Sequence, residues 1–204
     1  MKQKIDCNWN KYVDLGLPSG LLWETCNVGA KEPWENGLYF SWGNVDGHKK
    51  DSGYDFSETK YATTPGSSLT GNIPVNAEYD AARANLGGSW RMPTAFEFKE
   101  LYDNCTNVWP TQDGVYGRLF ISKINGNSVF FPAAGGYYGT TLTYEELFGR
   151  YWSSSIVLQT YVQYLCLHNK NVSYQHYSNR TYGFTVRAVL DHPKDSLMIR
   201  TIKR

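Results

Sequence analysis

The fold is decided by the stretch that begins at Arg150-Tyr-Trp-Ser-Ser-Ser155 and ends at Tyr182-Gly-Phe-Thr-Val-Arg187. No Asp or Glu occurs between Tyr151 and Leu190, and residues 161–182 include five Tyr, three Asn, two Ser and two His. Tyrosine offers a large, stiff contact area at a low cost in conformational entropy, and Ser and Asn offer adaptable hydrogen bonds. The composition of residues 161–182, the contact segment, therefore predicts a binding surface.

The bulk composition excludes several classes of protein. A chain of 204 residues is most simply one domain, and it is long enough to bury a core. The net charge of +1 and the charged fraction of 19% favour neither nucleic acid nor an anionic membrane as partner. No apolar run reaches the roughly 18 residues of a membrane span, and Met1–Asp6 has no apolar signal-peptide region. Three possibilities for the compartment follow. The protein stays inside the cell, it leaves by lysis or in a particle, or a leader peptide was removed before this numbering begins.

The four cysteines are scattered along the chain. A disulfide between Cys7 and Cys26 is conceivable, but the scatter favours free buried thiols for these two and for Cys105 and Cys166. Zinc sites need paired ligands at short spacing, which the scatter does not provide. We therefore expect no metal and no cofactor.

Helical patterns are confined to two segments. Residues 76–86 contain strong helix formers and end at Gly87-Gly88, a plausible C-cap. Thr94-Ala-Phe-Glu97 is a capping box, in which the Thr hydroxyl and the Glu carboxylate accept hydrogen bonds from free backbone N–H groups. The second helix should bury one apolar stripe, formed by Phe98, Leu101, Tyr102 and Cys105.

The remaining segments indicate short strands and loops. Residues 12–28 predict two strands around a turn at Pro18-Ser19-Gly20, residues 35–42 predict another, and residues 43–75 predict a long loop pinned by Tyr54 and Tyr61. Strands follow at 118–122, 128–132, 151–155, 161–167, 171–174 and 183–189, and Asn125-Gly126 predicts a type I′ hairpin turn. Two helices among many short strands predict an α+β fold, with the helices packed on small twisted antiparallel sheets joined by long loops.

Six motifs occur in the order Val13–Trp23, Cys26–Ala30, Gly88–Thr94, Phe131–Gly135, Tyr151–Ser154 and Gly183–Arg187. They resemble the paralogous domain that is abundant in Bacteroides and Fibrobacter. That resemblance implies a C-type lectin-like fold, in the branch shared with formylglycine-generating enzymes. It implies one domain at 12–190, between an N-terminal extension at 1–11 and a basic C-terminal tail at 191–204.

The same branch includes the variable proteins of diversity-generating retroelements, which end in an aromatic- and Asn-rich segment displayed on the surface. The resemblance implies that adenine mutagenesis scatters Asn codons to Tyr, Ser, His, Cys, Asp and Thr. Gln163, Lys170 and Gln175 do not fit that palette, and an ordinary, undiversified family member is the alternative. Leu165, Leu167 and Val172 are expected to be fixed core positions. The candidate ligand-binding residues are Tyr161, Gln163, Tyr164, Cys166, His168, Asn169, Ser173, Tyr174, His176, Tyr177, Ser178, Asn179, Thr181 and Tyr182.

The chain lacks the residues that related proteins use for catalysis and for calcium binding. Formylglycine-generating relatives use a close Cys pair near the C-terminus, whereas this chain has only Cys166 there, and a dyad with His168 or His176 would need an orienting third group. Calcium-binding lectins of this fold use Glu-Pro-Asn or Gln-Pro-Asp with Trp-Asn-Asp, and neither pattern occurs. We expect no enzymatic activity, and stacking of Tyr on sugars without metal stays open.

Structural roles are expected for the Trp and Arg residues of the motifs. Trp23, Trp90 and Trp152 should lie in the core with their indole N–H groups bonded internally. Arg91 and Arg187 should be structural ion partners, for Glu97 or Asp14.

The combined expectation is a receptor-binding or adhesion protein of a phage tail or bacterial surface. Its partner would be a protein or glycan receptor on a cell surface, with no nucleic acid and no direct membrane insertion. A tail that contacts a neighbouring subunit would make a homo-oligomer. The alternatives are a relative of formylglycine-generating oxidases, a metal-independent carbohydrate-binding module and a structural module.

Overall fold

The computed structural model describes residues 12–58, 78–158 and 160–191. The predicted N-terminal extension, with Cys7, lies outside the described residues, as do Tyr61 and the tail beyond Asp191. The α-helices are α1 (Ala81–Leu86) and α2 (Ala95–Asn104). The strands are β1 (Tyr12–Asp14), β2 (Leu22–Glu24), β3 (Tyr39–Phe40), β4 (Trp90–Arg91), β5 (Cys105–Val108), β6 (Thr111–Gln112), β7 (Val115–Ser122), β8 (Ser128–Pro132), β9 (Gly136–Tyr138), β10 (Thr141–Thr143), β11 (Phe148–Leu158), β12 (Tyr161–His168), β13 (Asn171–Asn179), β14 (Phe184–Thr185) and β15 (Val189–Leu190).

The predicted α+β, C-type lectin-like arrangement is wrong. Strands make up 44% of the described structure and helices 11%, and the strands form four sheets. The chain is mostly β because good helix formers are confined to two short segments, whereas aromatic, β-branched and Ser residues fill the pleated surfaces. Strand pairing also includes residues whose sequence indicated loops. As a result, β11 and β13 extend several residues beyond the strands predicted there.

The central sheet has five strands in the order β13-β12-β11-β14-β3. Strands β11, β12 and β13 form an antiparallel meander, and β14 pairs with β11 in parallel. One face of the meander packs on α2 through a cluster that includes Phe98, Leu101 and Leu165. The other face buries Trp152, Val162 and Phe184 in a second cluster. The meander therefore lies between two parts of the core, with β13 at its open edge.

A four-stranded sheet, in the order β1-β2-β15-β4, joins the two ends of the domain. Beside it, Arg91 forms ion pairs with Glu97 (2.6 Å) and Asp191 (2.7 Å). The predicted Arg91–Glu97 pair is thus confirmed. Arg187 is buried as predicted, but it donates hydrogen bonds to Asn27 and to backbone carbonyls and not to Asp14.

The helix ends follow the sequence closely. Asp80 caps the N-terminus of α1 by accepting from the backbone N–H of Arg83, so this helix is shorter than predicted, and Gly87 ends it as predicted. At α2 both hydrogen bonds of the predicted Thr94–Glu97 capping box are present. Of the predicted apolar stripe of α2, Tyr102 is exposed and the other members are buried.

The predicted hairpin joins β7 to β8, but its turn is not type I′. Gly126 adopts a positive φ of 77°, whereas Asn125 does not, and the Gly126 N–H donates to the Ser122 carbonyl (3.2 Å). A type I′ turn needs positive φ at both central residues. The connection is instead a longer loop, in which the Asn125 side chain donates to the Asp14 carbonyl (3.0 Å) and ties the hairpin to β1.

The Cys and Trp predictions are confirmed in part. Cys105 and Cys166 are free and buried as expected, whereas Cys26 is disulfide-bonded, so the prediction of a free thiol is wrong there. The Trp152 indole donates to the Phe40 carbonyl (2.7 Å). The Trp23 indole N–H is buried without a partner, contrary to the prediction.

Candidate functional site

The contact segment forms the hairpin β12–β13 at the edge of the central sheet, followed by a turn. Side chains of a strand alternate between the two faces of its sheet, so the candidate residues are divided between these faces. The register pairs Tyr164 with His176 and Cys166 with Ser173 on one face. A bulge between these pairs shifts the register, which places Tyr174 on the opposite face.

The face toward α2 is mainly structural. Leu165, Leu167 and Val172 are buried in the core, which confirms their expected role. Tyr174 packs against this cluster, its ring centroid 5.8 Å from that of Tyr102 on α2. Tyr174 therefore packs between helix and sheet, so less of its ring is available to a ligand than the sequence suggested.

Past α2, the same face reaches the solvent at the open end of the hairpin. Tyr177 is 61% exposed, and its ring meets that of Tyr161 edge-on at 5.7 Å. Val157 and Leu158 are exposed close by, because β11 pairs Leu158 with Tyr161. Gln163 lies half-buried opposite Tyr177. This end presents an apolar and aromatic patch.

The opposite face carries a continuous aromatic surface. The Tyr164 ring stacks on His176 (5.6 Å) and lies 4.9 Å from Phe184, and His168 contacts Phe148 (5.3 Å). Tyr164 and His168 are half-buried, and His176 is exposed. Rings that combine a solvent-facing edge with a packed body suit ligand contact, because they lose little freedom on binding.

Polar candidates fill the margins of this surface. Ser173 and Ser178 are half-buried on β13, and Asn169 is exposed in the hairpin turn. The Asn179 side chain accepts hydrogen bonds from the Thr181 N–H and hydroxyl (both 3.1 Å), so it stabilises the turn after β13. The turn brings Tyr182 against Tyr138, with ring centroids 4.3 Å apart.

Sequence reasoning missed the centre of the aromatic surface, which is Arg150. Its guanidinium carbon lies 5.0 to 5.8 Å from the ring centroids of Tyr144, Phe148, Tyr138 and Phe184. The register places Arg150 opposite Cys166, on the same face as Trp152. The period-two pattern could have indicated this, because Arg150 alternates in phase with Trp152 along a strand that is otherwise largely uncharged.

The surroundings of Tyr164 and Cys166 disfavour the charged forms of these two side chains. Burial raises the pKa of Tyr164 to about 12, and Arg150 opposes that rise. Burial likewise raises the pKa of the Cys166 thiol, against a lowering by Arg150. Because the thiolate is the reactive form of cysteine, the environment of Cys166 works against nucleophilic chemistry.

A second buried arginine fixes the far end of the hairpin. Arg118 on β7 donates to the backbone carbonyls of His168 and Asn171, on either side of the hairpin turn, and lies over the Trp109 ring (5.1 Å). The turn is thereby tied to the neighbouring sheet, so the hairpin can present its side chains in a fixed geometry.

The structure also contains a groove of about 650 Å³. It contains no predicted site residue. Lys50 and Asn36 both donate to Glu145 across it (2.7 Å each), and the half-buried Trp34 lines its wall. A groove with one indole and mixed charges offers stacking together with hydrogen bonding.

Within residues 12–58, 78–158 and 160–191, no group of three His, Cys, Asp or Glu side chains is placed to hold a metal ion. No helix in these ranges is long and apolar enough to cross a membrane. No protein-family model, curated protein or solved structure matches this chain.

Proposed function

We propose that this protein is a recognition protein that binds a ligand through the hairpin β12–β13 and the aromatic surface beside it. The observation that supports the proposal is an aromatic face of the central sheet that carries no acidic residue between 151 and 190, on which Arg150 lies over Tyr138, Tyr182 packs on Tyr138, and Tyr164 stacks on His176. Exposed aromatic surface on a rigid strand scaffold is the usual anchor of binding interfaces.

The scaffold supplies the rigidity that such binding needs. Buried leucines hold β12 on α2, and Arg118 ties the hairpin turn to β7. A ligand at this surface meets side chains that are already in place, so little conformational entropy is lost when it binds. The proposed partner is a protein or glycan receptor on a cell surface, and the proposed carrier is a phage tail or a bacterial surface.

We further propose that the exposed and half-buried positions of the contact segment vary between related copies of the chain. Exposed Asn169, His176 and Tyr177 fit this idea, whereas buried Cys166 fits it less well. An excess of AAC codons over 161–182, a near-identical template copy and a nearby reverse-transcriptase gene would support retroelement diversification. Their absence would remove diversification and leave the binding proposal intact.

Arrays of cell-surface glycans and displayed ectodomains test the binding proposal directly. We expect the full chain to bind a defined array member, and the double variant His176→Ser, Tyr177→Ser to lower its affinity at least tenfold. The matched control is Tyr116→Ser, which removes a tyrosine that is 46% exposed on β7 and should leave affinity unchanged. Equal binding by the double variant and the control would refute a role for the hairpin.

Carbohydrate binding in the groove is the second candidate, favoured by Trp34 beside the Asn36–Glu145–Lys50 hydrogen bonds. Aromatic walls with adjacent amide and charged groups can stack on a sugar ring and bond its hydroxyls. Loss of glycan-array binding in Trp34→Ala, with binding kept in the hairpin double variant, would place the ligand in the groove.

A further inference from the structure

Two nitrogens of the Arg150 guanidinium are buried without hydrogen-bond partners. The residue is only 7% exposed, yet its Nε and Nη1 atoms have no acceptor. Arg187, which is 0% exposed, shows the usual arrangement: its three nitrogens donate to the Asn27 Oδ1 atom and to the carbonyls of Glu24 and Thr25. Buried polar groups are nearly always bonded, so Arg150 calls for an explanation.

No internal counter-ion neutralises Arg150 among the described residues. Their ion pairs involve other cations, and the segment between Tyr151 and Leu190 has no acidic residue. The aromatic rings around Arg150 compensate part of its desolvation by cation–π attraction. The Tyr164 hydroxyl is hydrogen-bonded to Arg150, but the Nε and Nη1 atoms still have no acceptor.

Four aromatic rings surround the Arg150 guanidinium, and the most exposed of them, Tyr144, would be the movable wall of a binding site. Phe184 is buried and forms the floor, whereas Tyr138 and Phe148 are half-buried. Tyr144 is 53% exposed and holds a positive φ of 59°, which is rare for a residue with a side chain. Such strained backbone persists where the structure fixes it and is concentrated at ligand sites. Rotation of the exposed Tyr144 ring would open a path to the guanidinium.

We propose that Arg150 binds an oxyanion (a carboxylate, phosphate or sulfate group) of the ligand, and that the surrounding rings pack on the stem that carries this group. This inference rests on the proposed recognition function and names the chemistry that the aromatic surface selects. A guanidinium forms short, charge-assisted hydrogen bonds to oxyanions, and a low local dielectric strengthens them. The ligand supplies the acceptors that the chain lacks.

The test uses defined small probes and the full chain. Benzoate, phenyl phosphate, benzenesulfonate and inorganic phosphate are titrated while the Arg150 Nε–Hε resonance is followed by NMR, with benzyl alcohol as the uncharged control. We expect a saturable shift with at least one oxyanion probe and none with benzyl alcohol. The order of affinities distinguishes a carboxylate from a phosphate or sulfate site.

Variants separate the pocket from general charge effects. Arg150→Lys keeps the charge but loses the planar donor array, and we expect its affinity for the best probe to fall at least tenfold. Lys123→Met removes an exposed cation in the loop between β7 and β8, outside the contact segment, and should bind as the unmodified chain does. Equal loss in both variants would overturn the proposal, because binding would then depend on net charge alone.

A third variant keeps the proposal testable if Arg150→Lys fails to fold. Tyr144→Gly removes the movable wall at a backbone angle that glycine adopts freely, so the fold should persist. We expect weaker binding of phenyl phosphate and unchanged binding of inorganic phosphate, because only the former packs on the ring. Unchanged binding of both probes would contradict the packing role of Tyr144.

The two proposals fail in different ways. If no oxyanion shifts the Arg150 resonance and the array ligand still binds through the hairpin, the oxyanion inference is wrong and the recognition function stands. If the probes bind in an Arg150-dependent way but the array yields no ligand sensitive to the hairpin double variant, the pocket stands and the proposed receptor function is wrong.

Discussion

Arg187 and Arg150 are both buried against aromatic rings, yet they belong to regions of opposite character. Arg187 lies over Phe131 (4.6 Å) in the framework, where every nitrogen has an acceptor. Arg150 lies among rings on one face of the central sheet, where two of its nitrogens have no acceptor. Arg187 forms hydrogen bonds with all of its nitrogens, whereas Arg150 leaves two hydrogen-bond donors unused. Two buried residues of one type can therefore differ in the hydrogen-bonding capacity that they leave for a ligand.

The difference between the two arginines depends on the hydrogen-bond acceptors that nearby segments of the chain provide. Beside Arg187, the irregular segment after β2 turns the carbonyls of Glu24 and Thr25 toward the guanidinium. Beside Arg150, strand pairing uses the backbone acceptors of β11 and β12 within the sheet, so mainly aromatic side chains and the Tyr164 hydroxyl remain. A regular sheet can therefore bury a cation and leave its donors free for a ligand.

The largest expected effect is at Arg187. Replacement Arg187→Met removes the donors of three buried acceptors, and we expect a loss of about 3 to 5 kcal/mol in the free energy of unfolding. Urea denaturation at pH 7 measures this loss. A loss below that of the other substitutions described below would contradict the structural role of Arg187.

A smaller loss is expected at Arg118. Replacement Arg118→Met frees the carbonyls of His168 and Asn171, which should cost about 1 to 3 kcal/mol. Hydrogen exchange should quicken at the amides of the hairpin turn more than at those of β7. Lys170→Met, an exposed substitution in the same turn, serves as control and should stay within about 0.5 kcal/mol.

The pKa of Tyr164 reports the charge of Arg150. Burial raises this pKa from 10.0 to about 12, so the folded state keeps a proton that the unfolded state releases. The contribution to stability is complete below pH 10 and is lost as pH rises toward 12, by about 1 to 2 kcal/mol after allowance for solvent screening. Stability measured at pH 9 and 11 should fall less in Tyr164→Phe than in the unmodified chain. Arg150→Met should raise the Tyr164 pKa further, because Arg150 lowers it.

Arg150 itself should matter little for stability. Replacement Arg150→Met removes a desolvated charge and its cation–π contacts together, so we expect a change within about 1 kcal/mol. Urea denaturation of Arg150→Met beside Arg187→Met tests the contrast between the two regions. Losses of equal size would mean that Arg150 is a framework residue.

The smallest effect on stability is expected at Tyr177. Its exposed ring contacts Tyr161 alone among the described aromatic pairs, so Tyr177→Ser should cost less than about 1 kcal/mol. Ligand affinity should fall by a much larger factor, as measured on the array ligand. A substitution that lowers stability and affinity in parallel would mean that Tyr177 acts through the fold.

Local interactions were predicted well because they depend on residues close in sequence. The Thr94–Glu97 capping box and the end of α1 at Gly87 are contained within a few residues of chain. The burial of Leu165 and Leu167 followed from their spacing in a strand. The length of β11 and β13 was underestimated, because pairing with a neighbouring strand stabilises residues with weak strand preference of their own.

The candidate site shows the same contrast between local and long-range interactions. The sequence identified the contact segment from its composition, but it treated Tyr174 as a free contact residue, which α2 partly covers. It also missed Arg150 together with Tyr138, Tyr144 and Phe148, because these residues come from different strands and loops. Their proximity is a product of the parallel pairing of β14 with β11 and of the turn before β11.

The sequence by itself determined the composition of the proposed binding surface, the capping box of α2, the end of α1 at Gly87 and the alternation of buried and exposed residues along the strands. These properties follow from side-chain chemistry and from backbone rules that act over a few residues. Only the tertiary structure decided that the chain is mostly β, that the candidate residues divide between two faces, and that two nitrogens of Arg150 are buried without an acceptor. These outcomes depend on which distant segments pair and on which backbone hydrogen-bond acceptors the pairing uses. Short-range sequence patterns indicate neither.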